Sequence, residues 1–232
     1  MHAPFPWMRK TLRTLRRRHG SHQAMEVVYR DLLVRELHRL DIEDRFFPVG
    51  SAANHSLLYL VLRCYVELPV RRVLDVGAGQ TTLLLHALQT RLGKAEVVTL
   101  EHDAGWAERI SSQVGHHVLR RDLVRLAVDS HMTLMHDTTG LDGSFDLIIM
   151  DGPPGVRRYS RLGLLHLMQT VMDRRDFIAI LDDVDRGGEW QTAQLCEQWL
   201  RQDGIDFRRT EIRAAKHQWL CAGGALGTAA YF

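Results

Sequence analysis

Three acidic side chains stand where short apolar runs stop: Asp151 closes FDLIIMD, and Asp182 with Asp183 closes FIAILDD. Leu147 to Met150 has the adjacent isoleucines of a buried parallel strand. The Gly-Pro-Pro-Gly that follows cannot extend it, because proline fixes its own φ and gives no ladder donor. In an open parallel sheet the carboxyl edge is where ligands bind, so neighbouring strands would bring these carboxylates to one rim. Unpaired, they would repel one another and hold their protons more tightly, so a cation has to sit there: a basic side chain, a metal or a cationic ligand. A hard divalent ion such as Mg²⁺ or Mn²⁺ takes oxygen ligands. Held by Asp151, Asp182 and Asp183, it would acidify a hydroxyl and fix its oxygen for attack.

A second constellation lies upstream. VLDVGAGQTT puts Gly77 and Gly79 at a strand-to-helix turn, where backbone approaches a ligand and the helix offers free N–H groups, with Thr81 in the first turn. A dinucleotide fingerprint would need a third glycine where Thr82 stands. Asp75, two residues before Gly77, would face whatever enters the loop. It would repel a pyrophosphate but suit S-adenosylmethionine, whose ammonium and sulfonium are both cationic. Glu101 ends the next strand and can accept hydrogen bonds from ribose hydroxyls, with His102 beside it. Asp122, after a third short strand, has two readings: a contact to the adenine, or the N-cap of a helix formed by LVRLAV.

These residues need a scaffold that delivers them to one edge. Apolar periodicity predicts helices over 21–40, with Val27, Val28, Leu32, Leu33, Leu37 and Leu40 on one face, and over about 51–67. Strands and helices then alternate: strands at 71–76, 95–101, 116–120, 145–151 and 177–183, and helices at 81–92, about 106–113, 161–172 and 189–201. The last two strands, 205–212 and 217–223, are too close for a crossover helix and must be antiparallel. The fold class is α/β, a doubly wound, mostly parallel seven-stranded sheet with an antiparallel terminal strand at its edge and an N-terminal helical extension. The expected division is an arm and extension over 1–45 and a ligand-binding domain over 46–232.

Composition narrows the class further. The chain has 232 residues, 45% hydrophobic and 25% charged, with a net charge of +2, an ordinary globular balance that favours no polyanion. Arg9, Lys10, Arg13, Arg16, Arg17 and Arg18 make the N-terminus basic, and Trp7, Met8, Leu12 and Leu15 could share a helical face there. That gives either an amphipathic helix that rests on a membrane surface or nucleic acid, or a solvated arm or contact to a partner subunit, the second being the commoner case. Cys64, Cys196 and Cys221 have no metal or redox spacing, which predicts packed thiols in a reducing cytoplasm. No apolar stretch is long enough for a membrane span, and no apolar segment follows the basic residues as a secretory signal would require.

Taken together, VLDVGAGQTTLLL, VVTLEHD, FDLIIMDGPPG and LDD resemble the class I S-adenosylmethionine-dependent methyltransferases over roughly residues 50–223. The resemblance implies Asp75, Gly77 and Gly79 around the methionine end of the cofactor and Glu101 on its ribose. Within that group the chain is similar to catechol-type O-methyltransferases, which carry an Asp after the fourth strand and an Asp-Asn pair after the fifth. Asp151 and Asp182 match, as catalytic metal ligands, whereas Asp183 stands in place of the Asn. Where those enzymes have a lysine base this chain has Pro154, so either the metal alone activates the hydroxyl or a histidine does, with His55 and His102 as candidates by loop position. Arg157, Arg158 and Tyr159 either face an anionic or aromatic acceptor or are a solvated loop, and DVDRGGEW is either an acceptor rim or a helix-capping turn.

The leading expectation is therefore metal-assisted O-methylation of a small molecule. A metal-free enzyme whose carboxylates hold an amine, and a non-catalytic cofactor-binding module, are the alternatives. A nicotinamide-dependent dehydrogenase is disfavoured by Asp75 and Thr82. Nucleic acid is not an expected partner, since no base-methylating Asn-Pro-Pro-Tyr motif is present. A homodimer through the N-terminal helices is expected.

Overall fold

The computed structural model describes residues 6–48 and 52–232, with side chains from Ser21 onward. The apolar face read from Trp7, Met8, Leu12 and Leu15, with the basic residues between Arg9 and Arg18, lies outside the described side chains. Helix α1 (Pro6–Arg39) runs into α2 (His55–Glu67), whose first turn is capped by Asn54 accepting from the Leu57 N–H at 3.3 Å. Then come β1 (Arg72–Val76), α3 (Gln80–Leu92), β2 (Glu96–Glu101), α4 (Ala104–Ser111), β3 (His117–Arg120), β4 (Leu123–Val128), β5 (His131–His136), β6 (Leu147–Met150), α5 (Gly163–Thr170), β7 (Phe177–Leu181), α6 (Gly187–Gln202), β8 (Arg208–Arg213) and β9 (His217–Gly223).

Seven strands form one sheet in the order β3-β2-β1-β6-β7-β9-β8. All neighbours from β3 to β7 are parallel, and β9 is antiparallel to both β7 and β8. The expected antiparallel edge strand thus lies one place in from the edge. Strand β9 (HQWLCAG) is buried at all but its first residue, so it needs cover on both sides, whereas β8 (RRTEIR) carries the charge that a free edge tolerates.

Alternation within each strand divides the core in two. Val73, Val97, Ile149, Ile178 and Leu220 join α1, α2 and α3 in one layer, while Leu74, Val98, Ile148, Ala179 and Trp219 join α5 and α6 in the other. From α1, Leu33, Leu37 and Leu40 are buried in the first layer, but Val27 and Val28 are exposed, so only the C-terminal part of that apolar face packs inward. All three cysteines are free and buried. No described helix is long and apolar enough to cross a membrane.

The stretch after β3 departs from expectation. LVRLAV is strand β4, paired with β5 in a separate two-stranded sheet. Asp129 and Ser130 make its turn with φ of 46° and 65°, the paired positive values of a two-residue hairpin. Asp122 therefore caps no helix.

Asp75 is the second departure. The pleat puts it on the same face as Val73, beneath α3 rather than towards a ligand. It is fully buried and does not line the cavity described below. Its carboxylate accepts hydrogen bonds from Thr81 Oγ1 (2.9 Å), Thr82 Oγ1 (2.6 Å) and Thr99 Oγ1 (3.3 Å), joining β1, β2 and the first turn of α3. Burial pushes its pKa up to about 6, against the opposing pull of the three hydroxyls.

The turn that this web holds meets the β6 loop backbone to backbone. Gly77 has φ of 100°, and a Cβ there would lie 2.7 Å from Gly152 N; a Cβ on Gly152 would lie 2.8 Å from Gly77 Cα. Neither loop could approach the other with a side chain between them.

Two consequences are measurable. Asp75 in the folded chain ionises later than in the unfolded chain, so its ionisation costs stability that is lost between pH about 4 and 6, on the order of 3 kcal/mol. In urea unfolding, the stability of Asp75→Asn relative to the parent should rise by that order across this window; a pH-independent difference would rule out the buried titration. Gly77→Ala combines a left-handed backbone with the collision at Gly152 and should cost about 2–4 kcal/mol. An alanine variant as stable as the parent would show that the loops do not touch.

Candidate functional site

A cavity of about 770 Å³ opens at the carboxyl edge of β1, β2, β6 and β7, within the range of small-molecule sites. One wall is the glycine turn from Gly77 to Gln80, at the N-terminus of α3. Gly79 has nothing within 4 Å of where a Cβ would stand, so a ligand can lie directly on the backbone. Glu101, His102 and Trp106 make the second wall. The Trp106 indole Nε1 donates to the Ala78 carbonyl at 2.7 Å, and the Trp106 N–H is capped by Asp103 at 2.7 Å, so the ring is fixed at the rim. The third wall is the loop Asp151–Gly155, with Arg161, Asp183 and Arg186 behind it and Phe47, Ala52 and Ala53 across the opening.

Glu101 is held rather than free to swing. Oε1 accepts from the His102 and Asp103 N–H groups at 2.7 and 2.8 Å, and Oε2 accepts from the Ala78 N–H at 3.0 Å. A carboxylate has about four lone-pair directions, so capacity for a ligand hydroxyl remains on Oε2. His102 Nδ1 lies 2.9 Å from Glu101 Oε1, and its ring meets His136 edge-on at 5.6 Å between centroids. His136, at the end of β5, is buried with neither ring nitrogen hydrogen-bonded, and burial followed by the neighbouring His102 pulls its pKa down to about 4.

At the opposite wall the three carboxylates meet as expected, with ligand atoms of Asp151, Asp182 and Asp183 within 4.8 Å of one another. The cations beside them are side chains. Arg161, itself buried, lies 3.4 Å from Asp151 Oδ1 through Nη1 and 3.1 Å from Asp183 Oδ2 through Nη2. Its Nε and Nη1 also donate to the carbonyls of Pro153 and Asp182, each at 3.2 Å. Arg186 Nη1 is 3.0 Å from Asp183 Oδ2. Lys216 Nζ is 3.4 Å from Asp182 Oδ2 and 3.5 Å from Asp183 Oδ1. The Gln218 amide donates to Asp182 Oδ1 at 2.7 Å.

This arrangement does not fit a divalent metal. Every carboxylate oxygen of Asp182 and Asp183 is engaged, and Asp182 is wholly buried beneath the rim, outside the cavity lining. The Arg161 guanidinium, lying between Asp151 and Asp183, would also repel a divalent ion brought beside it. Burial and then Asp182 raise the Asp151 pKa well above the carboxylate range, against Arg161 and Lys216. Burial opposes the charge of Lys216, yet Asp182, Asp183 and Asp151 together raise its pKa.

Of the residues singled out in the sequence, Gly77, Gly79, Glu101, His102, Asp151 and Asp183 meet in this cavity. Thr81 lies beneath the turn with Asp75. Asp122 is an exposed side chain 3.2 Å from Arg120, away from the cavity. His55 is at the start of α2 with Nδ1 3.3 Å from Glu26, also away from it. Arg157 and Arg158 are exposed, and Tyr159 stacks on His131 at 3.9 Å instead of facing a ligand. In their place the loop turns Arg161 inwards, through positive φ at Tyr159 (48°) and Arg161 (56°), and DVDRGGEW contributes Arg186. Trp106, His136, Arg161, Lys216 and Gln218 were not anticipated. Arg186, three residues after Asp183, had a readable signal; Lys216 and Gln218 reach the rim only because β9 lies beside β7.

No family model and no curated protein sequence matches the chain. Solved structures do. An O-methyltransferase from Bacillus cereus in complex with SAH superposes with a TM-score of 0.54 at 14% identity, covering 88% of this chain and 99% of that one. The O-methyltransferase TomG from Streptomyces achromogenes, solved with SAM and involved in tomaymycin synthesis, gives 0.51 at 12% identity, covering 89% and 99%. The chain therefore has the Rossmann-like fold of the class I S-adenosylmethionine-dependent methyltransferases, with its O-methyltransferases among the similar structures.

Proposed function

We propose that the chain is an S-adenosylmethionine-dependent methyltransferase that methylates an oxygen of a small molecule. The observation that carries this is the single cavity in which the glycine turn, the anchored Glu101 and the Asp151 loop converge. The cofactor would supply a methyl group on a sulfonium, an electrophile that needs only an aligned and deprotonated nucleophile. Gly77 and Gly79 leave room for the methionine end at the backbone, and Glu101 Oε2 would accept from a ribose hydroxyl. Trp106 and His102 would wall the nucleoside side.

The acceptor would enter past Phe47, Ala52 and Ala53, between Arg186 and the Asp151 loop. Asp151 is the one of the three carboxylates with an oxygen that no described cation engages, and it faces the cavity. We assign it the acceptor's hydroxyl proton, which frees the oxygen electron pair for the methyl carbon as the sulfonium becomes a thioether. The internal neutralisation of Asp182 and Asp183 weighs against an amine held directly by the carboxylates. On α1, the exposed Met25, Val27 and Val28 support its pairing with a second copy.

Calorimetric titration with S-adenosylhomocysteine is the direct test, and Glu101→Gln should weaken binding by about tenfold or more, as one charged acceptor and its backbone anchors are lost. No binding by the parent would end the methyltransferase reading. A screen of hydroxylated small molecules, read as cofactor turnover, should yield an acceptor whose methylation is abolished in Asp151→Asn while S-adenosylhomocysteine binding persists. With that acceptor the parent's rate should fall on acidification already above the ordinary carboxylate range of about 4, because only the ionised Asp151 accepts a proton. A rate flat down to that value would remove Asp151 from the role.

A further inference from the structure

We infer that the cation of this carboxylate centre is the protein's own, with the Arg161 guanidinium, backed by Lys216, standing where a divalent ion would bridge Asp151 and Asp183. What the centre serves rests on the methyltransferase reading; how it is neutralised rests on the geometry alone.

The three carboxylates are gathered as closely as an ion would require, within 4.8 Å, yet the atoms drawing them together are nitrogens. Arg161 threads between the ends of β6 and β7. It reaches Asp151 and the Pro153 carbonyl on one side, and Asp183 and the Asp182 carbonyl on the other. A guanidinium suits this position because it keeps its charge when buried and spreads its donors in a fixed plane. The chain accepts a left-handed backbone at Arg161 to put it there, and Asp183 opposite is also left-handed, with φ of 63°. Such conformations persist only where the surroundings over-determine them. Here those surroundings are visible: Ser160 donates to the buried Glu189 at 2.8 Å, its N–H bonds the Gly188 carbonyl at 3.1 Å, and Thr192 donates to the Ser160 carbonyl at 2.7 Å. The start of α6 thus clamps the residue before Arg161.

Lys216 completes the arrangement from the β8–β9 turn. Its ammonium engages both aspartates of the β7 end and the Ala52 carbonyl at 3.1 Å, so it also ties the wall across the opening to the centre. Arg161 is accordingly a positioning residue for Asp151, and it leaves no bridging position for a metal.

Mn²⁺ alone is the probe. The EDTA-treated chain is titrated with Mn²⁺, the free ion being followed by electron paramagnetic resonance with and without S-adenosylhomocysteine. The parent should leave the free-ion signal unchanged. Arg161→Gln, which removes the cation and frees Asp151 and Asp183, should take up Mn²⁺ at least about tenfold more tightly than the parent, since one buried positive charge no longer repels it. Lys216→Met should move in the same direction and serves if the Arg161 variant does not fold. Stoichiometric uptake by the parent, lost in Asp182→Asn, would overturn the inference and needs no other variant to be read. Calorimetry with S-adenosylhomocysteine on the same samples separates the two ideas. A parent that binds neither ligand loses the methyltransferase reading and keeps the internal cation.

Discussion

Three carboxylates at the end of two adjacent buried strands cannot be left to repel one another, and the rest of the site follows from how this chain resolves that. Arg161, Arg186 and Lys216 come from three different segments, and each reaches Asp183. To bring them there, the loop after β6 doubles back through left-handed residues, α6 begins directly after Arg186, and β9 inserts beside β7 so that its turn overhangs the rim. This wall of the cavity is a by-product of charge balance. Losing one buried partner would leave an uncompensated charge, a heavier penalty than the pair's own contribution.

The opposite wall is organised chiefly by hydrogen bonds to two carboxylates. Asp75 works downward, collecting three threonine hydroxyls, and Glu101 works sideways, collecting three backbone N–H groups. Both set the shape of the glycine turn, but only Glu101 retains a face towards the cavity. The two carboxylates share one face of the sheet, with Asp75 opposite Thr99 and Glu101 two residues beyond it, and they differ in cover: Asp75 lies beneath the first turn of α3, and Glu101 at the strand end lines the cavity.

Much of this was legible beforehand. Strands β1, β2, β6 and β7 are apolar runs bounded by polar or glycine-rich turns, and their order of appearance with intervening helices implies a doubly wound sheet. The gathering of Asp151 with Asp182 and Asp183 follows from strand ends alone. The pleat tells that Val73 and Asp75 share a face, but both faces of this strand are apolar and helix-covered, so which helix lies over Asp75 was not readable; the motif's proximity to a glycine turn suggested a ligand instead. The β4–β5 hairpin was hidden because Asp-Ser is a weaker turn signal than Asn-Gly and Asp122 resembled a cap. Arg161 was beyond reach, as its inward path depends on a positive φ that nothing in VRRYSRL requires.

The backbone contact between Gly77 and Gly152 fixes a spacing. One glycine belongs to the turn at the start of α3, the other to the loop that carries Asp151. With no side chains between them to yield, neither segment can move closer to the other, so the distance between the two walls at this point is set by main-chain packing and not by a rotamer.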